Sequence, residues 1–461
     1  MNLQNNPHPA SYRDPAGFLY VRDGNLYRFV ANTYKENFEL LVTSGLAQQL
    51  IQQGQLLRYE VLTENHFNQS NWFTTLRPQY LPFLSYAWEW SFHQLKDAAL
   101  CTLRICKQAL DHGFVLKDAT HLNIQFVENK PLLIDHLSLE KYEEGTPWIA
   151  YRQFCECFLN PLLLSAYKQL DVSRLLKAYP EGVPATVTAS LLPYKTKLNP
   201  VLYLHVHLQA KMSGHTAPST TSKKAIVSLK SLRQILENLE SIIEHLNPKE
   251  TRTTWNNYYE ETILSKTYLD DKKVKVTDWI QSIEYHKVLD LGANEGAFSL
   301  LCKSQSQVIA SDFDNSCIDR LYMQLKKSKI YHIHPVILDW MQPSPAMGWE
   351  NKEQASFLSR CKSDLCLALA VIHHLCIGKN LPFEKVASVL SDICSELIIE
   401  YVPKSDPKVR AMLATRKDIF DHYNQEAFEN AMLKYFNLIK SASVEGSDRI
   451  LYHFQKSKQT T

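Results

Sequence analysis

The chain has 461 residues and nearly balanced charge, 50 Lys and Arg against 48 Asp and Glu, so bulk electrostatics give no reason to expect a polyanionic partner and nucleic acid is not indicated. That length predicts roughly two to four domains with sizeable cores. The opening Met1-Asn-Leu-Gln-Asn-Asn6 lacks the basic and apolar regions of a signal peptide, no apolar run reaches the length of a membrane span, and ten cysteines lie scattered without a C-x-x-C pair. Cys101, Cys302, Cys366 and Cys394 sit in apolar runs, where a thiol behaves as a small core residue. A reducing, cytoplasmic setting without a membrane partner is expected, and the oligomeric state stays open.

Gly17 to Val30 reads as two short strands around Asp23-Gly24, a hairpin signal. Phe38 to Leu57 has helical periodicity punctuated by Gly45 and Gly54, and Pro82 to Phe92 leads into an apolar helix from Leu95 to His112. Next come Leu116-Lys-Asp118-Ala-Thr-His-Leu-Asn123-Ile-Gln-Phe126, a turn, and Pro131-Leu-Leu-Ile-Asp135. The spacing of Asp118, Asn123 and Asp135 resembles the catalytic and metal loops of kinase-fold phosphotransferases. That resemblance implies that the first Asp orients a hydroxyl while the Asn and second Asp hold magnesium. Leu116 stands where the usual His would be, and neither a G-x-G-x-x-G loop nor a V-A-I-K-like strand is present. A degenerate, vestigial phosphotransfer element is therefore expected rather than a working kinase. The alternative is that the three side chains fix turns, with Lys117 paired to one of the acids. His205-x-His207 would face one way on a strand, but no third ligand is close in sequence, so no metal is expected.

Ser213 to Lys224 is polar and turn-rich and reads as a linker. Behind it Leu229, Leu232, Leu236, Leu239, Ile243 and Leu246 repeat at steps of three and four, one apolar stripe on a helix that stops at Asn247-Pro248. A stripe this short is expected to pack on a neighbouring element rather than dimerise. Trp255, Tyr258 and Tyr259 follow on one helical side, then Tyr268, Lys272, Lys273 and Trp279. These rings either cover a bound cation or pack the helix on a sheet. The expected partition is a small α+β lobe over 1–80, a mainly helical lobe over 81–212, a linker and striped helix over 213–248, and a C-terminal α/β domain over 249–461.

That last domain carries the chemistry. Val288-Leu-Asp-Leu-Gly-Ala-Asn-Glu-Gly-Ala-Phe298 is an apolar run breaking into a glycine turn, followed by a helix pattern through Cys302. A second run ends at Asp312, 22 positions beyond Asp290, near the spacing of an acid that reaches ribose hydroxyls. Asn294 stands where a dinucleotide fold would have its middle glycine. Asp290 and Glu295 put negative charge at the turn, poor for a phosphate and good for an ammonium or sulfonium. A helical stretch from Ile318 to Lys329 leads to Val336-Ile-Leu-Asp339-Trp340, and a fourth run from Asp364 ends at Ile372-His373-His374. A fifth, Glu396 to Glu400, leads to Tyr401 and Asp406. Alternating strand and helix runs argue for a parallel sheet covered on both faces.

The glycine turn with its leading acid, Asp290-x-Gly292-x-Asn294-x-Gly296, resembles motif I of class I S-adenosylmethionine (SAM) methyltransferases. The resemblance implies SAM as cofactor, with the turn at its methionine end, Asp312 on the ribose and Asp339 with Trp340 on the adenine. The loop after Ile372 would border the methyl group, where His373 or His374 acts as base or serves structure, with Tyr401 and Asp406 as weaker substrate-loop candidates. Over most of its length the chain also resembles a family of two-part proteins described as SAM-dependent methyltransferases or NoeA-like nodulation proteins. That match rests on Ser85 to Phe92, Leu116 to Thr120 with Asn123 to Phe126, Gly145 to Phe154, Thr254-Trp255 with Tyr258-Tyr259, the glycine turn, and Leu369 to Leu375. The fold expected is a Rossmann-like class I methyltransferase domain, mostly parallel sheet with helices on both faces, preceded by an α+β region with a degenerate kinase-like element. The function expected is methyl transfer to a hydroxyl, carbon or amine of an unidentified acceptor that the N-terminal region selects or presents. The alternatives are a non-catalytic SAM-sensing scaffold and a bifunctional protein that also binds a nucleotide.

Overall fold

The computed structural model describes residues 6–213, 226–249, 266–414 and 416–457. The chain forms two compact units, one of residues 1–250 with 346–355, the other of 251–345 with 356–461. The breaks expected at 80 and 212 lie inside the first unit. Ala346–Ala355, expected within the C-terminal domain, folds with the first unit instead. There Glu353 accepts from Arg13 Nη2 at 2.7 Å and from the Tyr12 hydroxyl, and the Ala355 amide donates to Tyr86 Oη at 3.0 Å.

The first unit begins with an antiparallel sheet ordered β1-β2-β3-β5-β4, from strands β1 (Asn6–Pro7), β2 (Gly17–Arg22), β3 (Asn25–Ala31), β4 (Tyr59–Leu62) and β5 (Trp72–Pro78). Asp23 and Gly24 both take positive φ (52° and 76°), the twist a two-residue hairpin needs, so β2 and β3 pair in register from Arg22↔Asn25. The periodicity after Phe38 resolves into two helices, Lys35–Thr43 and Leu46–Gln52, split at Gly45 (φ 77°). Ser91 caps the long helix Phe92–Asp111 in a reciprocal box with Gln94. Beyond it β6 (Phe114–Leu116) pairs with β9 (Leu139–Lys141), and β7 (Ile124–Val127) pairs with β8 (Lys130–Leu133).

The striped helix runs Leu229–His245 and packs on Phe92–Asp111. Leu232, Leu236, Leu239 and Ile243 are buried, each contributing about 1.5–3 kcal/mol. The stripe is thus covered within its own unit. Lys96 Nζ donates to the carbonyls of Glu244 and Leu246 (2.9 and 2.7 Å), satisfying the last turn of the helix. His205 and His207 lie on the π-helical turn Tyr203–Leu208, not on a strand. Their rings go to different partners, Tyr151 Oη at 2.6 Å and Thr196 Oγ1 at 2.9 Å. Of the stretch read as a linker, only Ser213 is among the described residues.

The second unit is a seven-stranded sheet ordered β12-β11-β10-β13-β14-β16-β15. Its strands are β10 (Lys287–Leu291), β11 (Gln307–Asp312), β12 (Ile333–Ile337), β13 (Ser363–Ala368), β14 (Cys394–Tyr401), β15 (Phe436–Ser443) and β16 (Ile450–Lys456). All are parallel except β16, which runs antiparallel between β14 and β15. This is the mixed α/β, Rossmann-like arrangement of class I methyltransferases. Val288, Leu289, Val308, Ile309, Leu365 and Cys366 point alternately to the two faces, yet all are 0% exposed, as strands covered on both sides require. One difference from expectation lies behind the glycine turn, where the helix pattern condenses to a single short turn, Ser299–Leu301. The Ser299 hydroxyl donates to Asp290 there, at 2.6 Å. Among the described residues no helix is long and apolar enough to cross a membrane.

Candidate functional site

The chain leaves β10, builds outward through β11 and β12, then returns to β13 on the other side of β10. In an open α/β sheet the crevice at that reversal, beyond the carboxyl ends of the strands, is where ligands sit. A cavity of ≈ 260 Å³ opens there. Gly292 after β10 and Leu369, Ala370 and Val371 after β13 line it together. These two loops touch: a Cβ on Gly292 (φ 79°) would lie 2.6 Å from Val371 Cγ2. Gly296 (φ 78°) serves packing instead, since its Cβ would strike Leu321 Cδ1 at 2.6 Å on the helix Asn315–Ser328. Asn294 holds φ 52°, a left-handed conformation that Asn tolerates, so the missing middle glycine does not disturb the turn.

Asp312 ends β11 and lines the cavity, 7% exposed. Its carboxylate accepts the amides of Asn294 and Asp314, both at 2.9 Å, so it buttresses the turn as well as facing the cavity. Burial pushes its pKa up to about 6. Asp339 and Trp340 follow β12 and line the next part of the wall, with Trp340 Nε1 donating to Ser311 Oγ at 3.2 Å and its ring edge-on to Phe357. Asp339 is exposed, and its carboxylate accepts the Met341 amide at 2.9 Å. Phe313, half exposed at 51%, stands beside Asp312 on the rim.

Asp290 has a different place. It is 3% exposed, does not line the cavity, and accepts from Ser299; burial again lifts its pKa to about 6. It holds the turn from behind. The negative charge expected of Glu295 is spent on Arg320, whose Nε and Nη2 reach Oε1 at 2.8 and 2.7 Å.

The two histidines part company. His374 lines the cavity; His373 is 0% exposed, outside it, with neither ring nitrogen hydrogen-bonded. Burial, then the charges of Lys408 and Arg449, lower the His374 pKa to about 4, so its imidazole is neutral near pH 7 and can accept a hydrogen bond. The loop before it contains Ala370 at φ 55°, a strained conformation for a residue with a Cβ, and such strain gathers at functional loops.

Sequence reasoning passed over the wall opposite. The helix Lys266–Gln281 sets Tyr268 and Lys272 one turn apart, and both line the cavity. Lys272 Nζ donates to Glu400 Oε2 at 2.6 Å and to Tyr268 Oη at 3.2 Å, while Tyr268 donates to Glu400 Oε1 at 2.6 Å. Arg449, 0% exposed, donates to Tyr268 Oη at 2.8 Å and pairs with Asp406 at 2.7 Å. Asp406 is thereby occupied, and it also caps the helix Pro407–Leu413. Tyr401 is buried against Tyr423. Neither of these two lines the cavity. The available signal was a lysine set on the buried face of an amphipathic helix, in line with Tyr268, Val276 and Trp279. Trp255, Tyr258 and Tyr259 lie outside the described residues.

In the first unit, burial raises the Asp118 pKa, and the charges of Asp135 and Asp14 add to this against the opposing pull of Lys117. Asp135 is already engaged: Arg28 Nη1, from β3, and Ser138 Oγ each donate to it at 2.5 Å. Asn123 Nδ2 reaches Ser138 Oγ at 3.4 Å. Lys117, expected to pair with one of these acids, forms its ion pair with Asp14 instead, at 3.0 Å.

No family model matches the chain. The nodulation protein NoeA of Rhizobium meliloti (strain 1021) is 32% identical over 460 residues, which cover 97% of this chain and 96% of that one. Among solved structures, the N-methyltransferase NodS from Bradyrhizobium japonicum WM9 aligns at TM-score 0.32 and 13% identity, over 42% of this chain and 99% of its own. The magnesium protoporphyrin IX methyltransferase (ChlM) from Synechocystis PCC 6803, with bound SAH, aligns at TM-score 0.32 and 14% identity, over 44% and 93%. The strand order and directions of the second unit, not these superpositions, define its fold.

Proposed function

The chain belongs to the family of the nodulation protein NoeA, and with that membership as premise we propose that it is a SAM-dependent methyltransferase whose cofactor lies in the switch-point cavity. One observation carries the proposal: the glycine turn, Asp312 and the Asp339–Trp340 pair meet one continuous cavity in that order. The order suits a nucleoside thioether. A close backbone approach meets the aminoacyl end, a carboxylate with unused lone pairs meets a ribose diol, and an acid beside an indole meets an adenine.

When bound, SAM supplies a methyl carbon on a sulfonium. The protein's part is to align the acceptor for in-line attack and to exclude water. Leu369, Val371 and Leu375 give that end of the cavity an apolar lining. The neutral imidazole of His374 accepts a hydrogen bond from the acceptor and so orients its attacking hydroxyl, amine or carbon acid. With a pKa of about 4 it is a weak base, so orientation is its larger contribution. The first unit selects or presents the acceptor. In support, Asp135 is held by Arg28 and Ser138 in a closed ion pair rather than presented to a ligand.

Calorimetric titration with S-adenosylhomocysteine (SAH) tests the cofactor assignment, and titration with ATP and magnesium tests the division of labour. Micromolar SAH binding lost in Asp312→Ala, with no heat from ATP, is the expected result. Absence of SAH binding would favour a scaffold. ATP binding lost in Asp135→Ala would restore a nucleotide role to the first unit.

A further inference from the structure

Resting on the SAM assignment, we propose that Lys272, fixed by Glu400, is the recognition site for the α-carboxylate of the cofactor's aminoacyl end. The cofactor carries one such anion, and a cation in the cavity wall gives it a charge-assisted partner. Two of the charged groups lining the cavity, Asp312 and Asp339, are anionic and belong to the nucleoside side. Among the described residues the lining cations are Lys272 and Lys379. Lys379 is exposed and sits on the loop after β13, toward the acceptor. Lys272 is 3% exposed and stands on the glycine-turn side, its ammonium 4.9 Å above the ring of Phe298, two residues beyond Gly296.

An ammonium has three N–H donors, and Lys272 directs two of them to Glu400 and Tyr268 among the described residues. The third is available to a ligand in the cavity that the residue lines. Burial lowers the pKa of this amine, and the Glu400 carboxylate 2.6 Å away opposes that shift. Glu400 in turn is held by the Tyr268 hydroxyl, which takes a hydrogen bond from Arg449, itself anchored on Asp406. Glu400 is therefore a positioning residue: its carboxylate favours the charged ammonium and holds Nζ in place. Lys272 lines the cavity together with Gly292 and Asn294, the turn where the aminoacyl end is placed.

The test compares two probes that share the nucleoside and differ in the aminoacyl group, SAH and 5′-methylthioadenosine. A charge-assisted contact predicts that the wild type prefers SAH by roughly 10–100-fold. In K272M this preference should collapse to within about threefold, with methylthioadenosine affinity kept, while K272R retains part of it. E400Q should lower the preference without abolishing it. Methylthioadenosine binding reports folding within each variant. Should K272M fail to bind it, the double variant K272M/E400Q removes both buried charges and is measured the same way. A preference that survives in K272M or the double variant overturns the proposal, as does its absence from the wild type. Failure of the wild type to bind either probe would instead refute the SAM assignment beneath it.

Discussion

Asp312→Asn should make the protein more stable and its cofactor binding worse, and both effects follow from one buried carboxylate. Burial lifts the Asp312 pKa from 3.8 to about 6, so keeping it ionised at pH 7.5 costs about 3 kcal/mol of folding free energy. Below pH 4 the group is protonated in folded and unfolded chains alike and costs nothing. Between about 4 and 6 the unfolded chain has lost the proton that the folded one retains, so stability falls as pH rises; above 6 the cost is constant. Asparagine removes the charge but offers one acceptor oxygen where the carboxylate offers two to the Asn294 and Asp314 amides, and the lost bond returns about 1–3 kcal/mol. The net expectation is a gain of about 1 kcal/mol at pH 7.5, or about 2–4 °C in the calorimetric transition that SAH shifts in the wild type. At pH 4 the desolvation cost is gone and the lost bond remains, so the variant should there be less stable than wild type by about 1–3 kcal/mol. Binding of SAH should weaken by about 100-fold, because the ribose diol loses a charged acceptor. A stability difference between variant and wild type that stays the same from pH 4 to pH 7.5 would refute the desolvation argument. Unchanged SAH affinity would refute the ribose assignment.

Gly292→Ala and Gly296→Ala both force a Cβ into 2.6 Å contacts, but at different neighbours. The first should weaken SAH binding through the Val371 loop; the second should cost about 2 kcal/mol of stability while folded molecules bind normally. Urea titration paired with calorimetry separates them, and identical behaviour would count against the division of roles. His374→Ala should lower methyl transfer from labelled SAM roughly 10-fold or more with SAH affinity within about twofold, whereas His373→Leu should preserve both. A dead His373→Leu that still binds SAH would move the chemistry to His373. Arg28→Ala should destabilise the first unit by about 3 kcal/mol, with Asp135→Asn on that background restoring part of the loss. Strict additivity in that double-mutant cycle would show that the pair is not coupled.

What the sequence determined by itself is what short-range physics writes into neighbouring residues. The β2–β3 hairpin follows from Asp23-Gly24, the helix Leu229–His245 from its stripe, and β10 to β14 from five apolar runs, while β15 and β16 went unread. Asp312, Asp339 and Trp340 could be placed on the cavity wall because a parallel sheet puts the carboxyl ends of its strands on one edge. Tertiary structure decided everything that depends on which distant residue arrives. Asp290 and Asp312 look alike in sequence, but one faces Ser299 behind the turn and the other the cavity. His373 and His374 are adjacent, and one residue of helical rotation buries the first and opens the second. Lys272 finds Glu400 across 128 positions and Tyr268 finds Arg449 across 181, separations over which no periodicity carries information. Those pairings exist because β14 and β16 are antiparallel neighbours in the sheet, which brings Glu400 and Arg449 to one end of it beneath the helix bearing Lys272.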